Sequence, residues 1–160
     1  MMFDLLLWSS LLGSALFAGT CLAFWGFVMP GLENVSPPAH AATAMNAINT
    51  AFVRGWMLPL FVLTGISHLG LGVIALAQTP DPGTYVIASG AFSYLLGMFV
   101  CTLLFNVPLN QSLLAADPNT EAGYALWVRY QNAWGNWNVV RTLAGTMSFI
   151  LLAAGTAARY

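Results

Sequence analysis

Residues 56–77 read WMLPLFVLTGISHLGLGVIALA, and this stretch decides the fold. It holds no charged residue, and its single imidazole, His68, stands mid-way along it between Ser67 and Leu69. A helix of about 20 such residues crosses the roughly 30 Å of hydrocarbon in a bilayer. Three more runs have the same character: about Leu5 to Val28, with no charge after Asp4, then Tyr85 to Phe105 and Val139 to Ala158. Trp8, Trp25, Trp56, Tyr85, Trp137 and Tyr160 fall near the ends of these runs, at the interfacial depth that tryptophan and tyrosine prefer.

Composition supports the same solvent. Of 160 residues, 59% are hydrophobic and 6% charged, where a soluble domain carries about a quarter charged. Too few ionisable groups remain to clothe a soluble surface. All four cations are arginines: Arg54, Arg129, Arg141 and Arg159. The expected architecture is all-α, a four-transmembrane-helix bundle in one integral, multi-pass domain over residues 1–160, with the lipid bilayer as its first partner. A net charge of −1 provides no basic face for phosphate and excludes nucleic acid. The first run has Asp4 where a secretory signal has its positive region, so it is expected to be a retained helix. Cys21 and Cys101 both lie in apolar runs, where cysteine behaves as a small hydrophobe.

The spacing of small residues predicts close helix packing. Ser10, Ser14 and Ala18 line one face of the first helix, and Gly90, Ser93, Gly97 and Cys101 one face of the third. Small side chains let helices approach where no hydrophobic effect drives them together. The connections are unequal. The second and third helices are joined by Gln78 to Thr84, a short polar turn with Pro80, Pro82 and Gly83. The other two connections are long and leave from the opposite membrane face. Met29 to Gly55 passes Pro37-Pro38 and then reads as a helix from about Ala39 to Val53. Asn106 to Asn138 carries an amphipathic stretch after Pro108, a break at Asp117-Pro118, and a second helix from about Glu121 to Trp137. The bundle thus has a plain end and an elaborated end, and function is expected at the elaborated one.

Polar side chains gather there. Asn46, Asn49 and Arg54 precede the second span; Asn106 and Asn110, one helical turn apart, bracket Pro108; Asn138 and Arg141 open the fourth span. Amides and guanidinium groups are costly against hydrocarbon and turn inward to find partners. Pro108 removes a backbone donor and distorts its turn. Trp127, Tyr130, Trp134 and Trp137 form an aromatic stripe running towards Arg141. Two readings of it stay open: the floor of a pocket for a flat apolar ligand, or a helix resting on lipid headgroups. Each polar residue taken singly also has a structural reading, and Arg141 as a snorkelling side chain is one of them. His68 reads as a hydrogen-bonded structural histidine. His40 is the only histidine near the elaborated face. No histidine, cysteine or carboxylate set has metal-ligand spacing, and no nucleophile triad, phosphate loop or dinucleotide fingerprint is present.

Three short motifs carry a family resemblance. Met45-Asn46-Ala47-Ile48-Asn49 with Trp56 and Pro59, then Asn106-Val107-Pro108-Leu109-Asn110, then Trp134, Asn138, Arg141 and Thr142 resemble, in order, the signature of the anthrone oxygenase-like integral membrane proteins. The resemblance implies a four-helix membrane protein over essentially the whole chain. It also implies, for some members, oxidation of an anthrone to an anthraquinone by molecular oxygen without a metal or flavin. On that reading no cofactor is expected, and Arg141, Asn110 and Asn138 supply charge and donors to a developing oxyanion. His40 is then the one histidine available as a base, while Asn46, Asn49, Arg54, Asn106, Trp134 and Trp137 surround a small flat aromatic or phenolic substrate. The competing expectation is a non-catalytic protein holding a lipid, quinone, haem or partner subunit, including a second copy of the chain, in the same place.

Overall fold

The computed structural model describes residues 1–77 and 81–159. Gln78, Thr79 and Pro80, part of the expected short turn, lie outside the described residues, as does Tyr160. Five helices account for nearly everything else: α1 (Met2–Glu33), α2 (Pro38–Arg54), α3 (Met57–Ala77), α4 (Pro82–Ala115) and α5 (Glu121–Arg159). All but α2 are long and apolar enough to cross a membrane, and the protein is an integral, multi-pass, four-span bundle. Around the bundle the order is α1, α3, α4, α5, each packed on its two neighbours.

Local chemistry sets the helix starts. Pro38 occupies the first turn of α2, where a missing N–H costs nothing. Asp81 caps α4: its carboxylate accepts the Thr84 amide at 3.0 Å and the Thr84 hydroxyl. These two bonds, the hydroxyl's first, hold the exposed Asp81 carboxyl below its ordinary range. The hydroxyl of Thr120 accepts the Gly123 amide at 3.0 Å at the head of α5.

One expectation needs correction. The sequence suggested a separate helix ending near Trp137 and a span beginning at Val139, whereas α5 runs unbroken for 39 residues. Nothing between Glu121 and Arg159 can stop it: the segment contains no proline, and its one glycine near the junction, Gly135, sits in regular helix. Similarly, α1 and α4 continue past the expected span ends through Pro30 and Pro108. In both, the helix widens into π turns just before the proline, over Phe24–Val28 in α1 and over Leu95–Val100 and Thr102–Asn106 in α4. A proline ring collides with the carbonyl four residues earlier in an ordinary α-helix; a wider turn moves that carbonyl aside and lets the helix continue.

Three core layers stack along the bundle. Phe3, Leu7, Leu71, Ile87 and Leu152 fill the plain end. Phe17, Cys21, Phe61, Tyr94 and Met98 fill the middle. At the elaborated end α2 lies across the bundle, packing Ala41, Ala42 and Met45 on Met29, Leu113, Trp127, Tyr130 and Trp134. The aromatic stripe is therefore largely internal, with Trp127, Tyr130 and Trp134 buried against α2 rather than resting on headgroups. Close approach is steric at two glycines. A methyl group at Gly13 would collide with Thr64, and one at Gly97 with Ala144, so these positions set how near α1 comes to α3 and α4 to α5.

Candidate functional site

Below the α2 cap the helices enclose a cavity of about 190 Å³. Its position follows from the widened turns: Phe24 comes from the π turn of α1, and Met98, Phe99, Thr102 and Leu103 from those of α4. A π turn interrupts the regular α ladder, and such turns are frequent at functional sites. The walls are mostly aromatic. Phe61 is the hub, edge-on to Phe17 at 5.1 Å and stacked on Phe99 at 5.0 Å, with Phe52 at 6.3 Å. Phe24 and Trp134 meet at 5.4 Å on the far side.

Into this apolar box project Asn49 from α2, Asn110 from α4, and Trp134, Asn138 and Arg141 from α5. The sequence clusters from three separate segments thus reach one cavity. Arg141 is buried, 9% exposed. It donates from Nη2 to the Asn138 carboxamide oxygen at 2.9 Å and from Nη1 to the Thr102 hydroxyl at a long 3.4 Å. Its guanidinium carbon lies 5.0 Å from the Trp134 ring centroid, a cation–π distance. Among the described residues no carboxylate pairs with it. Asn138 in turn donates to the Cys21 carbonyl at 2.8 Å, which ties α5 to α1 and fixes the amide so that its oxygen faces Arg141. The Tyr130 hydroxyl donates to the Asn110 oxygen at 2.8 Å, with the Asn49 amide beside it.

Several buried polar atoms have no partner. Three belong to cavity-lining side chains: Arg141 Nε, Trp134 Nε1 and Asn49 Nδ2. All three are donors. For Asn49 the Tyr130 hydroxyl oxygen is the neighbouring group. Buried donors in protein interiors are nearly always satisfied. A wall with spare donors and a cation that no carboxylate pairs among the described residues suits a ligand with an oxygen acceptor, above all an anionic one.

The other expected site residues go elsewhere. Asn106 is buried and donates weakly to the Trp134 carbonyl at 3.4 Å, so it buttresses the helix that carries Trp134. Asn46 donates to the Leu113 carbonyl at 3.2 Å and ties the cap to α4. Trp137 stacks on Phe105 at 3.7 Å, outside the cavity lining. Arg54 is exposed in the last turn of α2, where a cation complements the helix dipole. His40 is exposed in the first turn of the same helix and away from the cavity. Residues the sequence reading did not single out include Thr102, whose spacing of four from Asn106 was the available signal, and the phenylalanine ring around Phe61, which had none.

A second polar cluster lies deeper. His68 is fully buried: Nδ1 donates to the Thr64 carbonyl at 2.8 Å, Nε2 meets the Ser14 hydroxyl at 2.9 Å, and Ser14 meets Ser148 at 3.0 Å. The ring stacks on Tyr94 at 4.0 Å. Both ring nitrogens are engaged, which leaves neither free for a ligand. Among the described residues no group of three His, Cys, Asp or Glu side chains is placed to hold a metal ion. On the other side of Asn138 lies a polar surface groove between α1 and α5, bordered by Trp25, Glu33, Gln131, Asn132 and Asn136. Asn138 is common to the groove and the cavity.

The profile of a family described as anthrone oxygenase matches residues 7–151, which takes in the second and third spans, most of the first and fourth, and every cavity residue named above. No match was found among curated proteins or among solved structures.

Proposed function

The chain belongs to the anthrone oxygenase family, and from that premise we propose that the cavity binds a flat phenolic ketone of the anthrone type and promotes its oxidation by molecular oxygen. The observation that carries this reading is the set of spare donors around a buried Arg141 that no carboxylate pairs among the described residues, inside an aromatic box. Stacking on Trp134 and the Phe61 cluster orients a flat ring system. Arg141 and Asn49 then face its oxygen. Loss of a proton from the methylene turns the ketone oxygen into an oxyanion, and fixed donors in a dry cavity favour that charge; one such donor is worth about 3–4 kcal/mol to a developing oxyanion. The electron-rich anion passes an electron to oxygen, and the carbon–oxygen bond forms. In the balance, one oxygen atom becomes the new carbonyl and the other leaves as water with both methylene hydrogens.

Among the described residues the cavity lining contains no carboxylate or imidazole. Acidity is therefore supplied by anion stabilisation at Arg141, with the proton leaving past Asn138 to the polar groove that Glu33 borders. That same lack of a base favours a second reading, in which the cavity binds a quinone or related acceptor without turning it over. The purified protein in nanodiscs, given an anthrone under air, separates the two. Anthraquinone formation with one oxygen consumed per product, lost in Arg141→Met, supports the oxygenase. Binding without product supports the second reading, and neither binding nor product removes both.

A further inference from the structure

We infer that the cavity is filled sideways from the bilayer, through a gap between α3 and α4 beneath α2. The cap is closed from above, because Met45, Leu113, Trp127 and Tyr130 are all buried under α2. The opening lies at the side. α3 packs closely on the first half of α4, Pro82–Tyr94, and much more thinly on Leu95–Val100; beyond that the two helices diverge. At that thin contact the Phe99 ring of α4 is set against Gly65 of α3 and stacks on Phe61 one turn further along. That ring forms the sill of the opening.

The threshold above it is made of Val62 on α3, Leu103 on α4, and Ile48 and Val53 on the underside of α2. These residues line the cavity and yet are 37–59% exposed. All four are apolar, so the rim offers nothing to water. At 1.5 Å rise per residue Val62 lies about 8 Å along α3 from its start at Met57, a depth just under the headgroups. A flat, weakly acidic aromatic that has dissolved in the membrane meets the opening at that depth. Once inside, its acceptor oxygen faces Arg141 and Asn49. The identity of the ligand rests on the functional reading above; the portal rests on the geometry.

The test uses full-length protein in liposomes and a coloured hydroxyanthraquinone as probe. Val62→Trp and Leu103→Trp narrow the mouth at lipid-facing positions, and Ile150→Trp on the lipid face of α5 serves as control. The expected result is entry slowed roughly tenfold in both mouth variants, equivalent to about 1.4 kcal/mol of added barrier, with no change in the control. Wild-type entry should also follow the probe's concentration in the lipid and not that in water. Equal rates in mouth and control variants overturn the portal. If the probe does not bind at all, the functional reading fails by itself, and the portal is read from Cys21 on the cavity wall in a Cys101→Ser background. Labelling by N-ethylmaleimide in liposomes, slowed by the mouth variants alone, upholds it. Labelling equal in all variants, or none under conditions that label the unfolded chain, overturns it.

Discussion

Replacing Arg141 with methionine should leave the folded protein about as stable as before while abolishing ligand binding. The structure provides the terms. The guanidinium gains one good hydrogen bond, to Asn138 at 2.9 Å, and a cation–π contact at 5.0 Å. A bond to a charged group contributes about 1.5–3 kcal/mol and a cation–π contact about 0.5–2 kcal/mol. Against these stands about 2.5–3.5 kcal/mol for holding an arginine at hydrocarbon depth, with no carboxylate to offset it among the described residues and with Nε unpartnered. The two sides nearly cancel, so Arg141→Met should shift stability by no more than about 1 kcal/mol, as when a buried charge gives way to an apolar side chain of similar size. The other end of the same hydrogen bond behaves differently. Asn138→Ala strips the Cys21 carbonyl of its interhelical donor and strands a buried cation. It should cost about 3 kcal/mol, most of it from the unpaired charge. The measurement is reversible unfolding by dodecyl sulfate in mixed micelles, followed by circular dichroism, with hydroxyanthraquinone affinity read alongside. If Arg141→Met destabilises as much as Asn138→Ala, the arginine is a structural strut and the argument from its unmet donors collapses.

Two further outcomes follow from the geometry. His68→Leu should cost about 1–2 kcal/mol through its lost hydrogen bonds and leave hydroxyanthraquinone affinity unchanged, since Ser14 keeps Ser148 as a partner; a His68-dependent Soret band on adding haem would contradict the engaged nitrogens. The Asp81 cap has its carboxyl depressed by Thr84, so it stabilises α4 above the unfolded value near 3.9 and loses that effect as pH falls through the lower, folded value. Asp81→Ala should accordingly melt below wild type at neutral pH, and the two melting curves should converge in acid; a constant gap down to low pH would rule out the carboxylate as its source.

Much of this was legible in the chain. Hydropathy alone located the four spans, because a run such as 56–77 has no other stable solvent, and the cost of amides in hydrocarbon pointed Asn49, Asn110, Asn138 and Arg141 inward. The continuity of α5 was less visible. Asn138 and Arg141 read as the opening of a span that followed a separate helix ending near Trp137, whereas the helix runs straight through, Asn138 turns into the bundle, and Asn132 and Asn136 border a polar groove on its flank. The stripe of Trp127, Tyr130 and Trp134 showed its period but not its neighbour, since an aromatic face is equally at home against lipid or against α2. His40 illustrates the reverse error: a residue type suited to catalysis, near the right face in the chain, left on the outside by the turn of helix it occupies.

The sequence by itself determined the solvent, the number of crossings and the end at which polar groups would gather, because each depends on transfer energies that are properties of single side chains. Only the tertiary structure decided that Phe17, Phe24, Phe52, Phe61 and Phe99 enclose a cavity, that Arg141 enters it without a carboxylate partner among the described residues, and that α3 packs only thinly on α4 beyond Tyr94. A phenylalanine facing lipid and one facing a cavity have the same transfer energy. What separates them is which side chains the widened turns before Pro30 and Pro108 place at the space between the helices.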